Sequence, residues 1–341
     1  MSKANTILAG LLVVQLGLAA FTWAGGTRLG GATDTQPLVE GNPSDVTELE
    51  ITGTAKDDKP ARTLKLVKTG DAWVVSTAAD FPAKTEKVDE IVKKLVEAKV
   101  REPIATHKAN HAALKVGEKT FEKKVRVKIG GSDVNLVVGS GKGTSIHARH
   151  DGKDEVYLAR GVSAWAISDR VSSYVDTEYV KVEDPSEVSV QNSKGTINLV
   201  RNDAGKWRVT ELAADSDVDD SRVSAFVSSA RSIRLSEPVG KEIKPAYGLA
   251  DGVQVILKTK DKTVSYAIGA TDGDHAYVKA DNSEYVVKVS KFSVERLRDQ
   301  TPDKFIKEPG KPGPPGGMPG GMPGMPRGMP GGMPPGMMPP R

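Results

Sequence analysis

Apolar and polar positions alternate with a period of two along Leu64 to Val75, LKLVKTGDAWVV, and again along Ile197 to Val209, INLVRNDAGKWRV. In the first stretch Leu64 and Leu66 flank Lys65. Trp73 and Val75 resume the phase after a polar break at Thr69-Gly70-Asp71. In the second, Ile197, Leu199, Trp207 and Val209 follow the same plan around Asn202-Asp203-Ala204-Gly205. Alternation of this kind buries one face of a strand, and both breaks have the composition of hairpin turns. Each stretch predicts a β-hairpin carrying a Trp.

After each hairpin the apolar spacing changes to that of a helix. Val88, Ile91, Val92, Leu95 and Val96 form one stripe, and Val223, Phe226, Val227 and Ala230 repeat its phase. Glu102-Pro103 and Glu237-Pro238 are read as the ends of the helical regions, because the residue before a proline resists the helical conformation. A spacing of about 135 residues persists through Leu114 and Leu249. Strand pairs are expected at Val125 to Ile129 with Val134 to Val138, and at Val253 to Leu257 with Thr263 to Ile268. Short strands are expected at Glu155 to Leu158 and Glu284 to Val287. Ser-started helices, Ser163-Ala164-Trp165-Ala166-Ile167 and Ser290-Lys291-Phe292-Ser293-Val294, close the two copies. Each unit has an ordinary domain size, and two copies are too few for a solenoid.

The ends of the chain differ from this middle. Thr6 to Ala24 holds no charge and one strongly polar residue, Gln15. A run of about 20 apolar residues spans a bilayer core. A secretory apolar region is usually shorter, and an A-x-A cleavage motif is absent. The reading is an uncleaved signal anchor in preference to a cleaved signal peptide. Without cysteine no lipobox exists. Lys3 and the α-amino group before the span, set against Arg28 after it, favour an N-in, C-out orientation. Residues 25–43, with Gly-Gly twice, Asp-Thr-Gln-Pro and Gly-Asn-Pro, read as a linker. From Pro309 to Arg341 nearly every residue is Pro, Gly or Met, a composition that cannot bury enough apolar surface to offset chain entropy. The tail lacks a Gly-X-Y period, which excludes collagen.

The expected architecture is therefore α+β: a transmembrane helix within 1–24, a linker over 25–43, a first unit over 44–180 and a second over 181–308. A disordered tail would occupy 309–341. Formal net charge is +4, from 48 basic and 44 acidic residues. Lys311, Arg327 and Arg341 lie in the tail, so the rest is nearly neutral. That balance argues against nucleic acid, which requires a concentrated basic face.

Candidate chemistry is sparse. Val138 to Ser145, VGSGKGTS, resembles a phosphate loop, but Lys142 precedes Gly143 where a Ser or Thr opening a helix is needed. A Gly-rich turn between strands explains it, and Ile268 to Gly273 is its counterpart. Asp215 to Asp220, DSDVDD, resembles the start of a calcium loop. Asp220 and Phe226 stand where that loop needs Gly and Glu, so capping of the following helix is preferred. The matching segment of the first copy is Asp80 to Thr85. His107 and His111 lack a third zinc ligand; with His147, His150 and His275 they read as surface histidines. Met318, Met322, Met325, Met329, Met333, Met337 and Met338 recur every three or four residues, and soft thioethers suit Cu(I). A low-complexity expansion is the preferred reading, so no metal, cofactor or catalytic residue is assigned. Neither a Gly-x-Ser-x-Gly elbow nor a cysteine nucleophile is present. Trp73, Trp165 and Trp207 follow the apolar phase of their elements and are expected in the core in preference to forming sugar platforms.

With its apolar N-terminal span, its hairpin-helix units around Ala72-Trp73-Val74-Val75 and Lys206-Trp207-Arg208-Val209, and the closing segments near Val156-Tyr157-Leu158 and Tyr285-Val286-Val287, the chain resembles a bacterial family catalogued as domain of unknown function 4340. The resemblance covers Thr6 to about Lys307. It implies a membrane-anchored, duplicated, extracytoplasmic protein, often encoded beside ABC-2-type permeases and proteins like gliding-motility transporter subunits. It carries no catalytic residues. The expected function is a non-enzymatic, inner-membrane-anchored periplasmic accessory, scaffolding or binding subunit of an ABC-type transport or motility assembly. Its expected partners are a permease, an ATPase or accessory subunits. A module binding a cell-envelope polymer, peptidoglycan or polysaccharide, is the alternative.

Overall fold

A computed structural model describes residues 35–55 and 60–307. Two antiparallel sheets dominate it. The first contains β1 (Gln36–Pro37), β2 (Val46–Thr52), β3 (Thr63–Thr69), β4 (Ala72–Val75), β5 (Phe81–Pro82), β6 (Lys99–Val100), β7 (Lys123–Ile129), β8 (Ser132–Lys142), β9 (Ser145–His150) and β10 (Val156–Arg160). Their order across the sheet is β1-β6-β10-β9-β8-β7-β2-β3-β4-β5. The second contains β11 (Glu178–Lys181), β12 (Glu187–Asn192), β13 (Gly195–Arg201), β14 (Trp207–Val209), β15 (Ser232–Gly240), β16 (Val253–Lys258), β17 (Thr263–Asp272), β18 (His275–Ala280) and β19 (Val286–Ser290). Their order is β11-β15-β19-β18-β17-β16-β12-β13-β14. From β6 to β4 and from β15 to β14 the two orders correspond strand for strand, so the sequence repeat is also a repeat of topology.

Three α-helices occur among the described residues: α1 (Thr85–Val96), α2 (Asp220–Arg231) and α3 (Lys291–Asp299). The α+β expectation is thereby corrected to a mainly β protein. The strands that the sequence hides are the reason. In β9, SIHARH, the core receives Ile146 and Ala148 while charged and polar side chains alternate with them. In β18, HAYVKA, it receives Ala276, Val278 and Ala280. Alanine contributes little apolar signal, yet these strands lie in the middle of their sheets, where pairing on both edges holds them. No helix among the described residues is long and apolar enough to cross a membrane. The expected span at 6–24 lies outside the described residues, as does the tail. Gln36–Pro37, within the stretch read as a linker, pairs with β6.

The repeated hairpin and helix set the core. Leu64, Leu66, Trp73 and Val75 are fully buried, and β3 turns into β4 through Gly70-Asp71, with Gly70 at φ 62°. The Trp73 indole N–H donates to Asp89 Oδ1 of α1 at 2.8 Å, which satisfies its one polar atom. α1 buries Val88, Ile91, Val92, Leu95 and Val96, and α2 buries Val223, Phe226, Val227 and Ala230. These are the stripes read from spacing. β2 departs from simple alternation. Val46 and Leu49 both reach the core because the register with β7 shifts between Val46 and Glu48. A bulge supplies the extra residue that rephases the strand.

Helix ends differ from expectation. α1 stops at Val96, well before Pro103. Pro238 lies inside β15, at a register shift against β19, and β11 pairs only with Ser232 to Arg234. Its missing N–H therefore costs no ladder bond. The closing helix of the first unit shrinks to a 3-10 turn, Ala164–Ala166.

The two halves share one apolar core. At their junction Phe81 meets Tyr285 edge-on with ring centroids 4.7 Å apart. The Tyr285 hydroxyl donates to Asp80 O at 2.9 Å.

Candidate functional site

Several sequence candidates resolve into structural roles. In VGSGKGTS, residues 138–142 are the end of β8, followed by the turn into β9 at Gly143. Gly139 is there because the loop carbonyls of Leu114 and Lys115 pack against its Cα; a Cβ would lie 2.8 Å from Lys115 O. Gly269 takes the same place in β17, where a Cβ would collide with Tyr247 O. The motif is a strand–loop contact, repeated once per unit, and no helix follows it. Asp219, in DSDVDD, caps α2 by accepting from the backbone N–H groups of Ser221 and Arg222. The first copy has no such cap: Lys84 precedes α1 without a side-chain bond, and Asp80 sits at φ 60°.

The histidines scatter. His111 is buried, contrary to the surface reading, with Nε2 2.9 Å from Asp154 O. His107 precedes a short 3-10 turn (Lys108–Asn110). His147 Nδ1 lies 3.0 Å from Ser140 Oγ. Among the described residues no carboxylate bonds that imidazole, and no group of three or more His, Cys, Asp or Glu could hold a metal ion. The seven tail methionines lie outside the described residues.

The surface that stands out is aromatic. Trp73 is enclosed and Trp207 half-buried, but Trp165 is 82 % exposed, which corrects its assignment to the core. Ser163 and Ser290 occupy the N-cap positions of the closing helical turns, and Trp165 and Phe292 are the second helical residue of each. Phe292 is 68 % exposed. Two residues further, Ile167 and Val294 point into the core and are fully buried. The spacing Ser-x-aromatic-x-aliphatic therefore puts the aliphatic residue inside and the aromatic outside, in both units. Each aromatic borders a groove against the long helix of its unit. Ile91 and Lys94 of α1 line the one beside Trp165, and Ser229 of α2 lines the one beside Phe292.

Trp165 separates two clefts. One, of about 330 Å³, runs along α1 and includes Tyr174. The other, of about 430 Å³, is walled by Arg62, Lys123, Asp169 and Arg170. A third, of about 730 Å³, continues from Arg62, Asp169 and Arg170 to Glu237 and His275 across the junction of the halves.

Buried polar contacts hold this surface in place. Tyr174 is buried; its hydroxyl accepts from Ser168 N–H at 3.2 Å and donates to Ala166 O at 3.4 Å, bracketing the turn that carries Trp165. Burial pushes the Tyr174 phenol up to about 12, so it stays a neutral donor. Lys123 Nζ bonds Asp169 Oδ1 at 2.6 Å under Gly53, where a Cβ would strike the carboxylate. Burial works to raise the Asp169 pKa, but the Lys123 hydrogen bond and charge prevail and hold the carboxyl below its ordinary value.

A family model described as Domain of unknown function (DUF4340) matches residues 73–250, just over half of the chain. The chain belongs to the DUF4340 family. The match begins at Trp73 in the first hairpin and ends just before β16. It is shorter than the resemblance read over residues 6–307, and includes Trp165 but not Phe292. No curated protein and no solved structure matches this DUF4340 chain.

Sequence reasoning missed Arg62, Arg170 and the exposure of Phe292. The signal for the last was present: in a helix starting at Ser290, Val294 and Leu297 share one side and Phe292 lies off it.

Proposed function

We propose that this DUF4340 protein is a non-catalytic binding and scaffolding subunit held at the bacterial inner membrane through residues 6–24, with both sheets outside the cytoplasm. Its partners are proteins of an ABC-type transport or motility assembly, a permease or its ATPase and accessory subunits. The observation that carries the reading is the aromatic presented twice at one position of a duplicated fold, Trp165 and Phe292, each beside a groove on the long helix of its unit. Trp is enriched among the residues that dominate interface energies.

The test is affinity purification of the tagged full-length protein from gently solubilised membranes, beside W165A/F292A. A stoichiometric permease or ATPase with the parent, reduced at least ten-fold with the double variant, is the expected result. Recovery of the parent without any partner would refute the reading. Exposure of Trp165 also favours a second reading, a module for cell-envelope polymer stacking on the indole. Co-sedimentation of the full chain with purified sacculi, lost in W165A, would shift the assignment there.

A further inference from the structure

The two aromatic sites share a backbone setting and differ in charge. Around Phe292, Arg296 and Lys304 are balanced by Glu295 and Asp299. Among the described residues the two clefts beside Trp165 contain Lys87, Lys94, Arg62, Lys123 and Arg170 against Glu90 and Asp169, three positive charges in excess. Most of those cations have partners. Glu90 takes Lys94 at 2.6 Å and Lys87 at 3.4 Å, and Asp169 takes Lys123. Among the described residues, neither the Arg62 nor the Arg170 guanidinium forms a hydrogen bond or ion pair. Both are exposed, both wall the cleft beside Trp165, and both also line the cleft that continues across the junction of the halves.

We infer that Trp165, Arg62 and Arg170 form the docking site for an acidic segment of a partner protein. Apolar atoms of the segment pack on the indole, and its Asp or Glu carboxylates enter the cleft to pair with the two guanidiniums. Arginine is suited to this because its planar fork binds a carboxylate through two parallel N–H bonds. Trp and Arg are both enriched among interface hot spots. The clefts on either side of the indole select a segment with protruding side chains; a bilayer surface would leave them unfilled. The excess charge also speeds encounter with an acidic partner, making association sensitive to salt. The inference rests on Trp165 being a contact surface, as proposed above.

The experiment uses the full-length chain in its own membranes, with a photo-reactive benzoylphenylalanine at position 94, on the α1 side of Trp165 in the neighbouring cleft. After irradiation the linked species is identified by mass spectrometry. The expected adduct is a peptide with two or more Asp or Glu residues within a few positions of the link. R62E/R170E should lower the cross-linking yield at least ten-fold, and R62Q/R170Q by a smaller factor. Changing the partner's acids to Lys should restore the yield with R62E/R170E. An unchanged urea midpoint of both variants separates loss of docking from loss of fold. A linked peptide without acids, an adduct that is lipid or glycan, no adduct, or a yield indifferent to R62E/R170E would each overturn the inference. Purification of the parent without any partner sinks the broader function. A partner retained with a charge-indifferent cross-link sinks only this site.

Discussion

Replacing two tryptophans by alanine separates the contact surface from the core. Trp165 is 82 % exposed. A fully enclosed aromatic buries on the order of 200 Å², so roughly 40 Å² is covered here, contributing about 1 kcal/mol at ~25 cal/mol per Å². Its loss leaves no cavity, and the expected cost of W165A is about 1 kcal/mol or less. Trp73 is 1 % exposed and donates to Asp89 at 2.8 Å. W73A opens a cavity between β4 and α1 and leaves a carboxylate without its donor, for an expected cost of about 3–5 kcal/mol. The assay is urea unfolding of the purified full-length protein followed by far-ultraviolet circular dichroism, which does not depend on the residue removed. With a common slope, the midpoint difference reports the stability difference. W165A should stay close to the parent while W73A unfolds at much lower urea. Equal losses would mean that Trp165 supports the fold, and the reasoning that makes it a binding residue would fail.

Other consequences follow from the same contacts. G139A and G269A each press a Cβ against a loop carbonyl and should destabilise by about 1–3 kcal/mol, read as lowered urea midpoints; a neutral result would deny the close approach. Y174F removes a buried hydroxyl bonded to Ser168 N–H and Ala166 O and should cost about 1–2 kcal/mol. Trp165 emission should shift as its turn loosens. Because the Asp169 carboxyl titrates lower folded than unfolded, its pair with Lys123 stabilises above the unfolded value and is lost as pH falls through the folded one. D169N should therefore flatten the fall in stability below about pH 4 relative to the parent, measured as urea midpoints at pH 3 and 7.

The helices and the repeated hairpins were legible because their information is local. A stripe such as Val88, Ile91, Val92, Leu95 and Val96 admits one face, and Leu64, Leu66, Trp73 and Val75 admit one side of a hairpin. Conservation of that phase at a spacing of about 135 residues disclosed the duplication, which the matching strand orders repeat. Strands with a weak apolar signal were not legible. β9 and β18 bury alanines between polar and charged residues, and only pairing with both neighbours makes them strands. Counting them turns an α+β reading into a mainly β fold.

The site divides in the same way. That nothing resembled a phosphate loop, a calcium loop or a nucleophile elbow with its required partners followed from residue types and spacing, which local sequence contains. Which aromatic faces water did not. Trp165 and Trp73 both sit in apolar company along the chain. Trp73 points between β4 and α1, and Trp165 stands on a turn whose inward place is taken by Ile167. Arg62 and Arg170 are 108 positions apart in the chain, and only the packing of the segment after β10 near the start of β3 brings them to one cleft. Periodicity specifies which face of an element is apolar. Which side chains from distant elements converge, and which are left uncovered, is decided when those elements pack, because burial depends on every neighbour at once.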